Sequence, residues 1–141
     1  MKLKVRQIET SDWDMLVKWW TSWKDWGTSP SKETLPLDGT GGLIVENDGI
    51  PIVAGFLYLT NSKVAWLEWI VSDPEYKNNN RKEAIELLIK SLEDVARNSK
   101  AEIILSVGRN KSLLNIHEGL GYTVDKNPSH EISKNIKLWQ Q

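Results

Sequence analysis

The chain has no cysteine, which excludes disulfide staples, thiolate zinc sites and cysteine nucleophiles. Its two histidines, His117 and His130, stand apart with no metal-ligand spacing, so no metal is expected. No run approaches the ~20 apolar residues of a membrane-spanning helix. The opening MKLKVRQIET has no apolar core of a secretory signal, so the expected location is cytoplasmic, without a membrane partner. Neither charge is in excess: 18 Lys and Arg face 19 Asp and Glu, for a net charge of -1. No global field draws the chain to nucleic acid, which argues mildly against that class of partner without excluding a local basic patch. Walker-type phosphate loops and Ser-His-Asp groupings are missing too.

Phenylalanine is scarce and tryptophan is not. One phenylalanine stands against eight tryptophans, five of which fall between Trp13 and Trp26. With 141 residues, 40% of them apolar and 26% charged, the chain is expected to form one domain over 1–141 around one core.

Periodicity divides the chain. Lys2 to Ile8 alternates and predicts a strand. Ser11 or Asp12 then caps a helix with Trp13, Leu16, Trp20 and Trp23 on one face, fading near Gly27. Residues 28–42 hold two prolines and three glycines and predict irregular chain. The runs 43–46 and 52–60 flank Asn47-Asp48-Gly49, a hairpin turn, and Lys63 to Val71 adds a further strand. Arg81 to Asn98 carries a helical stripe of Ile85, Leu88, Leu92 and Val95. A short strand at 102–107, a short helix at 112–120 stopped by Gly121, and two weaker strands near 122–124 and 130–136 complete the chain. The expected class is α/β: an antiparallel meander, then strand–helix–strand–helix, around a central mixed sheet.

Chemistry concentrates where the third meander strand meets the long helix, across Ser72-Asp73-Pro74-Glu75-Tyr76-Lys77-Asn78-Asn79-Asn80. A strand, a polar loop and a helix N-terminus present unpaired amides and the positive end of a helix dipole. Lys77, Arg81 and Lys82 add cationic side chains, a setting suited to a diphosphate, although such a loop is also a common solvated turn.

Residues 71–77 resemble the approach to the pyrophosphate loop of the GNAT superfamily of acetyl-CoA-dependent N-acetyltransferases, and Asn110-Lys111-Ser112-Leu113-Leu114-Asn115-Ile116-His117-Glu118-Gly119-Leu120-Gly121-Tyr122 resembles its second motif. The Trp-rich first helix is similar to that of small GNAT-like proteins encoded by bacteriophages. The resemblance implies a GNAT-like fold with a splayed strand pair, here 63–71 and 102–107, and acetyl-CoA as the acetyl donor. It implies that pantetheine meets the backbone of Ile70, Val71 and Ser72, with Asn110 and Ser112 opposite. The diphosphate then rests on the loop from Lys77 through Asn78, Asn79, Asn80 and Arg81 to Lys82. The sequence departs from the family in three places: asparagines stand where glycines are usual, Lys77 replaces an arginine, and His117 takes the place of a tyrosine assigned as general acid.

Two side chains are candidate catalytic groups. His117 titrates near neutrality and suits proton transfer to a thiolate; the alternative is a polar residue on a short helix. Glu68, flanked by Trp66, Leu67 and Trp69, suits a general base if burial raises its pKa; the alternative is a salt-bridged structural glutamate. Alternation puts Glu68 on one face with Trp66 and Ile70. Trp20, Trp23, Trp26 and Trp66 are candidate walls of an acceptor pocket, stacking on a planar or cationic substrate; the alternative is that they fill the core.

The leading expectation is therefore an N-acetyltransferase acting on a primary amine of a small molecule, peptide or nucleobase. A GNAT-fold binding module without catalysis is one alternative, and a nucleic-acid-directed modifier is another. A homodimer is compatible with the sequence.

Overall fold

The structure is a computed structural model that describes residues 2–138. Five strands form one sheet in sequence order: β1 (Leu3–Gln7), β2 (Gly42–Asn47), β3 (Ile50–Leu59), β4 (Val64–Ser72) and β5 (Ile103–Ser106). The first four pair antiparallel. The last pair is parallel, which requires a crossover, and α2 (Arg81–Asn98) supplies it. The other helices are α1 (Trp13–Ser22) and α3 (Lys111–Gly119).

The β2–β3 turn is the one the sequence encodes. Asp48 and Gly49 have φ of 50° and 84°, the double left-handed geometry of a two-residue hairpin, and Asn47 faces Ile50 across it. Helices cover both faces. On one side Leu88, Ile89 and Leu92 of α2 pack with Val53, Leu67 and Ile70 of the sheet. On the other, Leu16, Trp19 and Trp20 of α1 pack with Ile44, Phe56 and Val71.

The first helix differs from its sequence expectation at both ends. It enters through a 3-10 turn at Thr10–Asp12, and Asp12 reaches back to accept from the Glu9 amide at 2.7 Å. The same carboxylate takes a bidentate pair from Arg6 at 2.8 and 2.9 Å, while Arg6 Nε donates to Glu46 at 2.8 Å. Arg6 thereby ties β1, β2 and the helix entrance together and holds the Asp12 carboxyl below its ordinary pKa. At the far end α1 stops at Ser22, not near Gly27, because Trp23 turns extended with ψ of 136°. Thr21 and Ser22 hydroxyls donate to the Val17 and Lys18 carbonyls in that last turn, a competing local bond that weakens helical continuation. Trp23 consequently leaves the helical face assigned to it, and Trp26 lies beyond the helix.

The two weak C-terminal strands do not form. Residues 122–124 and 130–136 have no strand pairing, and Ile132 and Ile136 are 92% and 79% exposed. Their alternation finds no sheet face to bury against, so the pattern gains nothing from becoming extended. β5 is thus the edge of the described sheet.

Candidate active site

β4 pairs with β5 only from Val64 to Leu67, opposite Ile103 to Ser106. Beyond that point β5 ends, while β4 runs on to Ser72. The parting leaves a cavity of about 280 Å³ between β4, α2 and α3. Ile70, Val71 and Ser72 line its strand side, Arg81 and Ile85 its α2 side, and Asn110, Ser112 and Leu113 its α3 side. Trp23, Asp25 and Trp26 close it from the segment after α1. Larger recesses lie elsewhere, among them one of about 410 Å³ beside the C-terminal end of α2 and an apolar groove of about 480 Å³ floored by Leu43 and Leu57.

A bulge shapes the strand side. Ala54 pairs with Val71 and Phe56 with Glu68, so Gly55 alone opposes both Trp69 and Ile70. Trp69 takes φ of 63°, rare for a bulky residue, and it packs with Trp20 on the α1 side of the sheet. Simple alternation had placed Glu68 and Ile70 together. The bulge separates them: Ile70 joins the α2-side core, and Glu68 remains on the α1 side opposite Phe56.

Beside Glu68 the aromatics form a wall. Trp69 stacks on Trp26 with centroids 5.1 Å apart, and its indole donates to the Tyr58 hydroxyl at 3.1 Å. The Arg109 guanidinium sits 4.6 Å from the Trp26 ring centre and bonds Glu131 at 3.0 Å. Burial pushes the Glu68 carboxyl pKa up; Glu131 raises it further, and Arg109 opposes both. Trp26 and the Arg109–Asn110 step therefore belong to two neighbouring spaces, the strand-end cavity and the Glu68 surround. Trp66 is half-buried, on the Glu68 face across from Tyr58.

The loop after β4 is tightly built. Arg81 donates to the carbonyls of Asp73 and Tyr76 at 2.7 and 2.8 Å, so its guanidinium braces the loop. Asn80, 1% exposed, accepts from the Tyr76 hydroxyl, which also accepts from buried Asn47 at 3.1 Å. The Asn80 side chain is therefore packed inward, while Lys77, Asn78, Asn79 and Lys82 are exposed around the start of α2. The first-turn amides of α2 have no partner inside the helix. Asn110 caps α3, its Oδ1 accepting from the Leu113 amide at 2.8 Å.

The structure thus gathers Ile70, Val71, Ser72, Arg81, Asn110 and Ser112 with Trp23 and Trp26 in one cavity. Lys77, Asn78, Asn79, Asn80 and Lys82 stay on the loop and helix start outside its lining, Glu68 and Trp66 lie on the neighbouring aromatic face, and Trp20 and His117 are buried apart from it. Trp20 is fully buried against Phe56 and Trp69 and lines no pocket surface, because its helical position points at the sheet. His117, 4% exposed, donates Nδ1–H to the Leu113 carbonyl at 3.0 Å and meets the Tyr122 ring edge-on; its Nε2 has no hydrogen-bond partner among the described residues. Sequence reasoning passed over Asp25, Ile85 and Leu113 in the cavity, and Arg109 and Glu131 beside Glu68. Only the stripe position of Ile85 carried any signal.

No family model and no curated sequence matches the chain. Solved structures do. An aminoglycoside N-acetyltransferase, AAC(6')-Iy, in complex with a bisubstrate analogue of coenzyme A, superposes with a TM-score of 0.68 at 16% identity, covering 96% of this chain and 100% of that one. This is the GNAT fold. The N-acetylglutamate synthase of Neisseria gonorrhoeae, complexed with coenzyme A and N-acetylglutamate, shares it at a TM-score of 0.66 and 16% identity over 84% of this chain. The GNAT-fold chain described here spans only 28% of that synthase. A transcriptional regulator from Bacillus halodurans C-125 shares it too, with a TM-score of 0.68, 10% identity, and coverage of 94% and 100%. The GNAT fold is common to all three, and what each does resides in its own site residues.

Proposed function

We propose that this protein is an N-acetyltransferase that moves an acetyl group from acetyl-CoA to a primary amine of a small molecule. The observation that carries the reading is the strand-end cavity between β4 and α3, in a fold whose solved examples include acetyltransferases holding coenzyme A. Its residues fit such a ligand. An extended, amide-bearing arm suits the edge of β4 at Ile70 to Ser72, which β5 leaves uncovered, with Asn110 and Ser112 facing it. A diphosphate suits the first-turn amides of α2, with Lys77 and Lys82 exposed beside them. Arg81 shapes the turn through Nη2, which holds two carbonyls.

Acetyl-CoA supplies an activated thioester. As the amine nitrogen bonds to the acetyl carbon, the carbon–sulfur bond breaks and the sulfur leaves as a thiolate to be protonated by solvent. On the protein side, Glu68 would accept the proton released from the nitrogen. A carboxylate with a raised pKa is a stronger base than an ordinary one, and burial, with Glu131 beside it, provides that rise. The backbone N–H of Ile70 is the donor we assign to the developing oxyanion. Trp26 and Trp69 exclude water and offer ring faces to a cationic acceptor, while Glu68 and Glu131 outnumber Arg109 and leave net negative charge there. His117, buried outside the cavity, has no part in this scheme.

Isothermal calorimetry with acetyl-CoA, paired with a thiol-release assay over a panel of polyamines, amino sugars and amino acids, tests the reading. Micromolar binding with amine-dependent thiol release supports it. Absence of binding at millimolar acetyl-CoA overturns it.

A further inference from the structure

Trp23 belongs to the last residues before the irregular segment, and its indole N–H donates to the Ser72 carbonyl at 2.7 Å. The geometry of β4 makes that bond consequential. Asp73 donates its amide to Ile52 of β3, and Val53 pairs with Ser72. Backbone groups of an antiparallel strand alternate in direction, so the Ser72 carbonyl turns away from β3. It therefore points to the side where a next strand would lie. β5 has ended by then, opposite Leu67. The outward carbonyl at the parted end of β4 is thus satisfied by a side chain in place of a strand.

Trp23 also lines the cavity and lies 5.8 Å from the Arg81 guanidinium, the group that braces the loop. It packs at the margin of the α1-side core, not inside it. The residue is off α1, in extended conformation, and only partly buried.

We infer that Trp23 is a latch on the ligand cleft: its indole occupies the strand-edge acceptor that an extended amide-bearing ligand needs, and must swing out when that ligand enters. The inference rests on the proposal that coenzyme A occupies this cavity, since its pantetheine arm carries two amide N–H donors. Trp23 then sets donor affinity, through one hydrogen bond that is exchanged and not added. This differs from the acceptor-wall role that the sequence suggests for Trp23.

The test compares wild type with Trp23→Phe, which keeps a ring but removes the indole N–H. Calorimetry with coenzyme A alone measures affinity, and the indole ¹⁵N–H signal of Trp23, assigned by its loss in the variant, reports the latch directly. A slowly exchanging indole proton that becomes fast and shifts on adding coenzyme A supports the latch, as does an affinity about fivefold tighter in Trp23→Phe, the worth of one ordinary hydrogen bond. Binding to the variant but not to wild type supports it more strongly. Coenzyme A binding that leaves the Trp23 indole signal unmoved overturns the latch and leaves the transferase proposal intact. Failure of both proteins to bind overturns the two together. Thermal unfolding of the variant, run alongside, separates a lost latch from a lost fold.

Discussion

Glu68 and Ile70 lie two positions apart on one strand yet face opposite sides of the sheet, because Trp69 between them is in a left-handed conformation with φ of 63°. A regular strand would have put both on one face. The extra residue instead delivers a carboxylate to the aromatic side and leaves an aliphatic chain under α2. The expected basic group and the expected ligand edge therefore come from one short stretch of backbone without competing for the same space.

The bulge makes an unusual ranking of substitutions at Trp69. Both Trp69→Ala and Trp69→Gly lose the contacts with Trp20 and Trp26, at about 3 kcal/mol. In an ordinary strand glycine would be the worse of the two. Here glycine should be more stable than alanine by about 1 kcal/mol, since positive φ costs it nothing. Urea unfolding midpoints at equal m-values decide the order, and alanine above glycine would mean the bulge relaxes on substitution.

Glu68 should titrate above the ordinary glutamate value, and its neighbours should tune it in opposite senses. Glu131 raises its pKa, so Glu131→Gln should lower it; Arg109 lowers it, so Arg109→Gln should raise it. Carboxyl ¹³C titration of Glu68 in each variant reads both signs without any substrate. As the proposed base, Glu68→Gln should reduce kcat/KM by about 100-fold or more while coenzyme A affinity stays put.

The loop asparagines should divide by direction. Asn80 is buried on Tyr76, so Asn80→Ala should destabilise the protein by about 1–2 kcal/mol in thermal or urea unfolding. Lys77 and Lys82 are exposed. Alanine there should leave stability within ~0.5 kcal/mol and weaken coenzyme A binding severalfold, an effect that shrinks as salt rises. Salt-independent losses would place the diphosphate elsewhere.

Acid should loosen the first strand and the helix entrance. Arg6 holds the Asp12 carboxyl below its ordinary pKa, so the carboxylate contributes stability at pH values above that ordinary value and loses it as pH falls through the lower folded value. Stability should therefore fall as the pH drops below about 4. Asp12→Asn should cost about 2 kcal/mol at neutral pH and flatten that acid dependence, read from melting temperatures across pH.

Much of this architecture is written in local pattern. The Asp48-Gly49 turn follows from short-range rules and stands where they put it, and the stripe of α2 does so at Leu88 and Leu92, while Val95 at its end is 40% exposed. The fold resemblance rests on two short stretches, residues 71–77 and 110–122. What pattern misses is tertiary. Nothing in the spacing of Trp66 to Val71 signals a bulge, so alternation was carried one residue too far and Ile70 was given the wrong face. The early end of α1 hides because tryptophans continue at helical intervals beyond Ser22, although Thr21 and Ser22 bond backward there. Arg109 and Glu131 are 22 residues apart and meet only through the coil that follows α3. At His117 a motif position points to chemistry, whereas packing against Tyr122 holds the ring indoors.

Arg81 has one more effect. By clasping the carbonyls of Asp73 and Tyr76, it settles the curve of the loop while the chain folds, before any nucleotide arrives. Conformational freedom that a floppy anion-binding turn surrenders at encounter is already gone here. Capture at this end should therefore look like rigid docking, fast and with little entropic penalty, and any slow phase in association belongs to another part of the molecule.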